Sequence, residues 1–259
     1  MYTFQAATWG LALAVAIAVP TWAVSVPLRD ASLADRVWAS FIAVPAALYV
    51  LMLGADARLM VMLTLLLAWA LRLTFYVSRR NWGHGEDRRY QAIRARNQPN
   101  FELKSLWLVF GLQAVLGWTV SWPVLAAAGG PPWSLWDSLG AALALAGLLT
   151  EAIADAQLAR FKRDAANQGR VMDRGLWRYS RHPNYFGEAC VWWGLGLMGL
   201  AGGGWANAWC LVSPLLMTVL LLRVSGVALL EQDIAERRPA YADYIARTSA
   251  FIPWPPRRA

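Results

Sequence analysis

Long apolar stretches alternate with short polar ones along the whole chain. Seven of these stretches are close to the ~20 residues that an α-helix needs to cross the hydrocarbon core of a membrane. They run approximately over residues 4–26, 37–53, 58–78, 105–127, 138–158, 184–201 and 205–230. The pattern predicts an all-α fold, a polytopic membrane helix bundle with about seven transmembrane helices. We expect a single integral membrane domain over residues 1–259, with three spans in 1–78 and four spans and a cytoplasmic tail in 79–259.

The composition agrees with this fold. Of the 259 residues, 58% are hydrophobic and 15% are charged, whereas a soluble domain carries roughly a quarter charged residues. The 16 Trp residues also fit a membrane protein, because indole rings favour the membrane–water boundary. The first apolar stretch lacks the basic segment of a cleavable signal peptide, so we expect it to be retained as a span.

Basic residues are concentrated in alternate connections between the apolar stretches. Residues 79–104 and 159–183 each hold seven Lys and Arg, whereas 54–57, 128–137 and 202–204 hold none. Since positively charged loops stay in the cytoplasm, we expect both basic loops and the C-terminus there, and the N-terminus on the other side. We therefore attribute the net charge of +8 to basic residues that set the membrane topology and bind anions. No nucleic-acid partner is expected.

Two familiar kinds of site are not expected. The two cysteines and two histidines lack the spacing of a metal site, so no metal is expected. Gly194, Gly196 and Gly199 match the G-x-G-x-x-G fingerprint of dinucleotide binding, but they lie inside an apolar span with no preceding strand. We interpret these glycines as small residues that let two helices approach closely.

Ionisable residues away from the edges of the apolar spans are few: Arg72, Glu151, Asp155, Glu188 and Arg223. Ionisable groups at membrane depth are costly, so each is a functional candidate. Glu151 and Asp155 are four residues apart and share one face of the fifth predicted helix. The alternative is that these acids form structural ion pairs with Arg72 or Arg223.

A polar region follows the fifth span and ends in "GLWRYSRHPNYFGE" (175–188). Arg and Lys are the side chains that phosphate groups require, although a basic loop also serves topology alone. The C-terminal region adds Tyr241 and Tyr244 on one helical face, which is also typical of an interfacial helix. The residues alone predict a cytoplasm-facing polar pocket for a phosphorylated or zwitterionic ligand. The basic residues of the loop are Arg160, Lys162, Arg163, Arg170, Arg174, Arg178 and Arg181.

This motif, together with "LEQDIAERRPAYADYIARTSAFIP" (230–253), resembles the superfamily that unites membrane steroid reductases with isoprenylcysteine carboxyl methyltransferases. The likeness covers roughly residues 60–255. Within that superfamily, "RLTFYVSRRNWGHGEDRRY" (72–90) and "SLADRVW" (32–38) are similar to bacterial proteins grouped with the steroid 5-alpha-reductase C-terminal domain. The resemblance implies an integral protein of the bacterial inner membrane, with its cofactor site on the cytoplasmic side.

In the reductase branch, the corresponding loop and motif bind NADPH. Carried over position by position, the resemblance matches Asn81 after the third span, Asp155 and Lys162 around the fifth, and Asn184 and Glu188 in the motif. The full set of residues expected to bind the cofactor is Asn81, Glu151, Asp155, Arg160, Lys162, Arg178, Tyr179, Arg181, His182, Asn184, Tyr185, Glu188, Glu231, Arg237, Tyr241 and Tyr244.

The expected activity is NADPH-dependent reduction of a conjugated carbon–carbon double bond in a steroid-like or isoprenoid lipid. The candidate catalytic residues are Tyr76 and a protonated Asp35, as hydrogen-bond donors to the substrate carbonyl, and Glu188. Steroid reductases carry a Gln-Glu pair in the second span, and here that span holds no acid. Two alternatives remain open: an S-adenosylmethionine-dependent methyltransferase of a lipid-linked carboxylate or amine, and a membrane scaffold without catalysis.

Overall fold

The structure, a computed structural model, describes residues 2–224, 226–227, 231 and 240–257. Helices account for most of this part of the chain, and no strand occurs in it. The α-helices are α1 Tyr2–Leu28, α2 Leu33–Val37, α3 Ser40–Leu53, α4 Ala57–Asn81, α5 Arg88–Arg96, α6 Phe101–Ser105, α7 Leu112–Val120, α8 Trp122–Ala127, α9 Leu135–Arg163, α10 Pro183–Ala201, α11 Val212–Val219 and α12 Ala240–Arg247. Shorter 3₁₀ turns cover Ala165–Asn167, Gly175–Arg178 and Gly204–Leu211, and π-helical segments cover Leu106–Gly111 and Leu220–Val224.

Six helical segments among the described residues are long and apolar enough to cross a membrane. They are Thr3–Leu28, Leu33–Leu53, Ala57–Asn81, Phe101–Ala127, Leu135–Arg163 and Gly204–Val224. These segments confirm an all-α, polytopic integral membrane protein. Of the seven predicted spans, 184–201, which α10 covers, is the one not among these six segments. Asn184 and Glu188 lie in the first turns of α10 and lower its hydropathy.

The chain forms two compact units. Unit 1 comprises Met1–Asp137 and Met198–Ser213, and unit 2 comprises Ser138–Leu197 and Pro214–Ala259. A single domain over the whole chain stays a prediction.

In unit 1, small residues let α1 and α7 pack closely on α3. A Cβ atom added to Gly10 would lie 2.4 Å from the Tyr49 hydroxyl oxygen, and one added to Gly117 would lie 2.5 Å from the Cβ of Phe41. The core formed by this packing includes the buried rings of Phe41, Phe101 and Phe110. Interlocking of this kind replaces the hydrophobic driving force that is absent between helices in lipid.

Unit 1 also contains a buried ion pair that joins the start of α4 to the start of α9. Arg58 and Asp137 are 3% and 0% exposed, and the Nε–Oδ1 distance between them is 2.5 Å. Asp137 also accepts hydrogen bonds from the backbone N–H and the hydroxyl of Ser134. The sequence analysis missed this pair because both residues stand at the edges of apolar stretches.

In unit 2, glycines bring α9 and α10 together. A Cβ added to Gly147 would lie 2.5 Å from the carbonyl oxygen of Gly187, and one added to Gly187 would lie 2.7 Å from the backbone nitrogen of Glu151. Gly194 meets the carbonyl oxygen of Gly140 in the same way, at 2.5 Å. Helix packing is therefore confirmed as the role of Gly194. The same close approach of the two helices places the acidic residues of α9 next to α10.

Candidate functional site

The motif at 175–188 begins at a turn that is fixed to α9. Gly175 has φ of +58°, a conformation that glycine adopts without strain. The next residue, Leu176, donates its backbone N–H to the side-chain oxygen of Gln157 at 3.0 Å. The indole N–H of the buried Trp177 donates to the carbonyl oxygen of Ala154 at 3.0 Å. The start of the motif is therefore positioned by α9 itself.

Arg181, His182 and Glu231 form a hydrogen-bonded cluster that we call the Glu231 clamp. Arg181 Nε and Nη2 each lie 2.8 Å from one carboxylate oxygen of Glu231, which is the bidentate geometry of a strong pair. His182 Nε2 lies 2.9 Å from Glu231 Oε1. Burial opposes ionisation of Glu231, but the hydrogen bonds from His182 and Arg181 outweigh burial and lower its pKa to about 2. Glu231 is therefore a stable anion within this cluster.

The C-terminal region satisfies the remaining polar groups around the clamp. Arg181 Nη1 donates to the carbonyl oxygen of Thr248 at 2.6 Å. The buried Tyr244 hydroxyl donates to the carbonyl oxygens of Trp177 and Ser180, and burial raises the pKa of Tyr244. Tyr241 packs edge-on against Tyr244, with ring centroids 5.3 Å apart.

These contacts correct part of the sequence interpretation. The polar groups of Arg181, His182 and Tyr244 were expected to be satisfied by a nucleotide, and they are satisfied instead by Glu231 and by backbone carbonyls. Their observed contacts hold the motif in place. Arg237, another expected cofactor residue, lies outside the described residues.

Beyond the clamp, α9 and α10 share a polar cluster made of Glu151, Asp155, Asn184 and Glu188. The three acids are 2%, 5% and 7% exposed, respectively. The Asn184 side-chain amide donates from Nδ2 to Asp155 Oδ1 at 3.2 Å. Asn184 Oδ1 is buried and accepts no hydrogen bond from the described part of the chain. Because a buried acceptor without a partner costs about 1–3 kcal/mol, this atom marks a position where a hydrogen-bond donor fits.

Three other basic residues of the loop, unlike the buried Arg181, are exposed at the surface. Arg160, Lys162 and Arg178 are exposed. Within the described residues, neither the Arg160 nor the Arg178 guanidinium has a hydrogen bond or an ion pair. Tyr179 is 42% exposed, and the ring of Tyr185 stacks on His182 with centroids 5.5 Å apart. Two arginines of the expected set thus remain available to an anion.

The expected residues of unit 1 form a separate network. Asp35 accepts hydrogen bonds from Arg89 Nη2 at 2.7 Å and from the Tyr90 hydroxyl at 2.6 Å. Gln113 Nε2 in turn donates to the Tyr90 oxygen at 2.9 Å. Burial and the neighbouring Asp35 carboxylate raise the pKa of Tyr90, which therefore stays protonated. Asp35 is thus an acceptor paired with an arginine, which disagrees with its expected role as a protonated donor.

Sequence reasoning missed Tyr90 and Gln113. An isolated amide side chain in the middle of the span Phe101–Ala127 was the available signal for Gln113. Tyr76 is half-buried in α4, with the guanidinium carbon of Arg80 5.9 Å from its ring centroid. Asn81 accepts hydrogen bonds at its backbone oxygen from Arg36 and at Oδ1 from Arg80. No described group accepts from its buried Nδ2 atom.

The described residues contain no group of three or more His, Cys, Asp or Glu side chains placed to hold a metal ion. Of the expected site residues, the structure brings Asp155 together with Asn184, and it brings Arg181 and His182 together with Glu231. Both groups lie in unit 2.

The chain is similar to a curated protein of Schizosaccharomyces pombe named uncharacterized protein C594.04c. The two are 25% identical over 273 residues, which cover 94% of this chain and 78% of the yeast protein. No solved structure matches the chain. A family model described as "Protein of unknown function (DUF1295)" matches residues 21–248, so the chain belongs to this family.

Proposed function

We propose that the chain is a membrane-embedded, NADPH-dependent reductase of a conjugated carbon–carbon double bond in a steroid-like or isoprenoid lipid. The single observation that carries the proposal is Asn184. Its amide nitrogen is fixed by Asp155, and its oxygen is buried without a partner. We place the protein in a bacterial inner membrane, with the cofactor site on the cytoplasmic side. This placement rests on the basic loops and on the resemblance of the motif to steroid reductases.

The residues of unit 2 fit the nicotinamide end of NADPH. A carboxamide N–H is the kind of donor that the Asn184 oxygen lacks. The hydrogen bond from Asn184 to Asp155 holds the amide in one orientation, so the amide oxygen, and not the nitrogen, is the atom that can bond to the cofactor. Such preorganisation lowers the entropic cost of binding.

Exposed cations of the same unit fit the phosphate groups. Arg160 and Arg178 have no protein partner in the part of the chain that the structure describes, and the exposed Lys162 follows Arg160 closely in sequence. A hydrogen bond between a charged donor and a phosphate is worth about 1.5–3 kcal/mol. A preference for NADPH over NADH follows if one of these cations meets the 2′-phosphate.

When bound, NADPH would supply the hydride for the reduction. The chain's own residues would orient the reactants and exclude water, which is the contribution of a protein to cofactor chemistry. Asn184 would fix the nicotinamide, and the Glu231 clamp would hold the motif from which Asn184 and Glu188 project. Asp35 accepts a hydrogen bond from Arg89, which argues against Asp35 as the donor to the substrate carbonyl. Tyr76 stays a prediction for this role.

One observation favours the methyltransferase as a second candidate. Glu151, Asp155 and Glu188 place three buried carboxylates in one helix pair, and the sulfonium and ammonium groups of S-adenosylmethionine are cations. Buried anions attract such cations strongly. This ligand has no phosphate, so it would leave Arg160 and Arg178 without a role.

A ligand panel on the purified full chain separates the two candidates. Calorimetric titration with NADPH, NADH and S-adenosylmethionine in detergent is expected to show binding of NADPH, and weaker binding of NADH. Binding of S-adenosylmethionine alone would replace the reductase with the methyltransferase. Binding of none of the three would overturn both proposals, provided that the apo protein unfolds cooperatively in the same detergent.

A further inference from the structure

The segment that follows α12, residues 248–257, has no regular secondary structure and is nevertheless fixed to the motif loop. The backbone N–H of Arg181 donates to Ser249 O at 2.8 Å, and that of Trp254 donates to Tyr179 O at 2.9 Å. The Ser180 hydroxyl donates to Phe251 O at 2.8 Å. These three bonds fix the segment against the motif loop, so the surface that it presents is a feature of the fold.

That surface exposes large apolar side chains. Ile252 is 62% exposed and Trp254 is 69% exposed. Both belong to the segment whose backbone is hydrogen-bonded to the motif loop. An exposed indole is favourable at the headgroup level of a bilayer, where its apolar body and its N–H are both accommodated.

A cavity of about 330 Å³ opens beside Trp254, which is one of its lining residues. This volume is within the range of small-molecule sites. Its lining combines guanidinium groups, hydroxyls and one indole. The residues that matter for its chemistry are Arg181, Arg247, Thr248, Ser249, Trp254 and Arg257.

The charges around the cavity do not cancel. Arg181 is neutralised by Glu231, and Arg247 is paired with Asp173 at 2.6 Å. The Arg257 guanidinium has no ion pair or hydrogen bond to any described residue. Among the described residues, the cavity therefore carries an uncompensated positive charge, and the exposed Trp254 is part of its lining.

We propose that this cavity binds the headgroup phosphate of an anionic phospholipid. Arg257 would face the phosphate, while Trp254 and Ile252 would lie in the interfacial layer. Cations beside exposed apolar side chains are typical of surfaces that bind anionic membranes. A free phosphate ion would use the cation but would leave Trp254 and Ile252 in water, so the combination favours a lipid. This proposal does not depend on the reductase activity.

The test uses the full chain in detergent and native mass spectrometry to measure bound lipid. Short-chain phosphatidylglycerol and phosphatidylcholine with equal acyl chains are titrated separately. We expect phosphatidylglycerol to bind more tightly. Since one cation near an anionic surface contributes about 1 kcal/mol, Arg257→Gln is expected to weaken its binding about fivefold. Arg96→Gln is the matched control, because Arg96 is an exposed arginine of α5 in unit 1 and the charge change is the same.

Several results would overturn the proposal. One is equal affinity of the wild-type chain for the two lipids, and another is equal weakening by Arg257→Gln and Arg96→Gln. Inorganic phosphate that competes as well as the lipid, with no effect of Trp254→Ala, would show a site for free phosphate. Displacement of phosphatidylglycerol by NADPH would assign the cavity to the nucleotide instead. Weaker lipid binding by Trp254→Ala, together with the charge effect, supports the lipid.

Discussion

Arg181 and Glu231 form a bidentate ion pair across 50 residues of sequence, with both N–O distances at 2.8 Å. Their side chains are 9% and 15% exposed, so little water competes for the hydrogen bonds between them. Through this pair, the residue that precedes His182 and α10 is tied to a residue beyond the last candidate span. The position of Asn184 on α10 therefore depends on a contact that lies outside the polar cluster itself.

Glu231→Gln is expected to destabilise the protein strongly. The change leaves a largely buried guanidinium without its anion, and breaking one partner of a buried pair costs about 3–5 kcal/mol. Thermal unfolding in detergent measures the effect. Asp173→Asn is the matched control, because it removes the partner of Arg247 in a pair whose side chains are 34% and 43% exposed, and exposed pairs contribute about 0–1 kcal/mol. A similar drop in unfolding temperature for both variants would contradict a structural role for the clamp.

The same ion pair predicts that the stability of the folded protein depends on pH. The pKa of Glu231 is lowered from 4.5 to about 2 in the folded protein, so the unfolded chain takes up the proton first as the pH falls. The contribution of Glu231 is complete above pH 4.5 and is lost as the pH falls towards about 2. The difference in unfolding temperature between wild type and Glu231→Gln should therefore shrink across this window. A difference that stays constant from pH 6 to pH 3 would show that the charge of Glu231 is not its source.

Much of the helical architecture could be predicted from continuous apolar stretches. The predicted spans 58–78 and 138–158 lie within α4, Ala57–Asn81, and α9, Leu135–Arg163, since an unbroken apolar run leaves helix as the main way to satisfy its backbone in lipid. The predicted span 105–127 is interrupted by a π-helical segment at Leu106–Gly111. Hydropathy does not distinguish these helix types.

The chemistry of the candidate site was only partly predictable. Asp155 and Asn184 were expected in one site, and they are hydrogen-bonded, because helix periodicity and the motif restrict where they lie. The partner of Arg181 could not be predicted in the same way. Any of several acids has the right charge, and only the folded chain shows that Glu231 reaches it. For the same reason, the sequence did not reveal that Tyr90, together with Arg89, is the partner of Asp35.

The expected orientation in the membrane can be checked by labelling. Since both basic loops are predicted to face the cytoplasm, a cysteine at Gln98 should react with a membrane-impermeant reagent only after the cells are opened. A cysteine at Ala128 should react in intact cells. The background is a chain in which Cys190 and Cys210 are replaced by Ala. Strong labelling at position 98 alone in intact cells would reverse the orientation.

Asn184→Ala should weaken NADPH binding and leave the apo protein nearly as stable as wild type. The change removes an acceptor that has no protein partner and one hydrogen bond to Asp155. If the oxygen accepts from the cofactor, its loss should cost about 1–3 kcal/mol of binding free energy. Glu188→Gln is expected to act in the same direction, because it keeps the volume and replaces one acceptor oxygen with a donor. Calorimetry measures the affinity, and melting curves with and without NADPH measure stability.

Asn207→Ala is the control for the loss of an asparagine that is purely structural. Its amide nitrogen donates to the carbonyl oxygens of Ala126 at 2.6 Å and Gly199 at 3.1 Å within unit 1. This variant should lower the unfolding temperature of the apo protein and leave the affinity for NADPH unchanged. If Asn184→Ala behaves like Asn207→Ala, with equal loss of stability in the apo and bound proteins, Asn184 is a structural residue. The assignment of the cofactor to unit 2 would then lose the observation on which it rests.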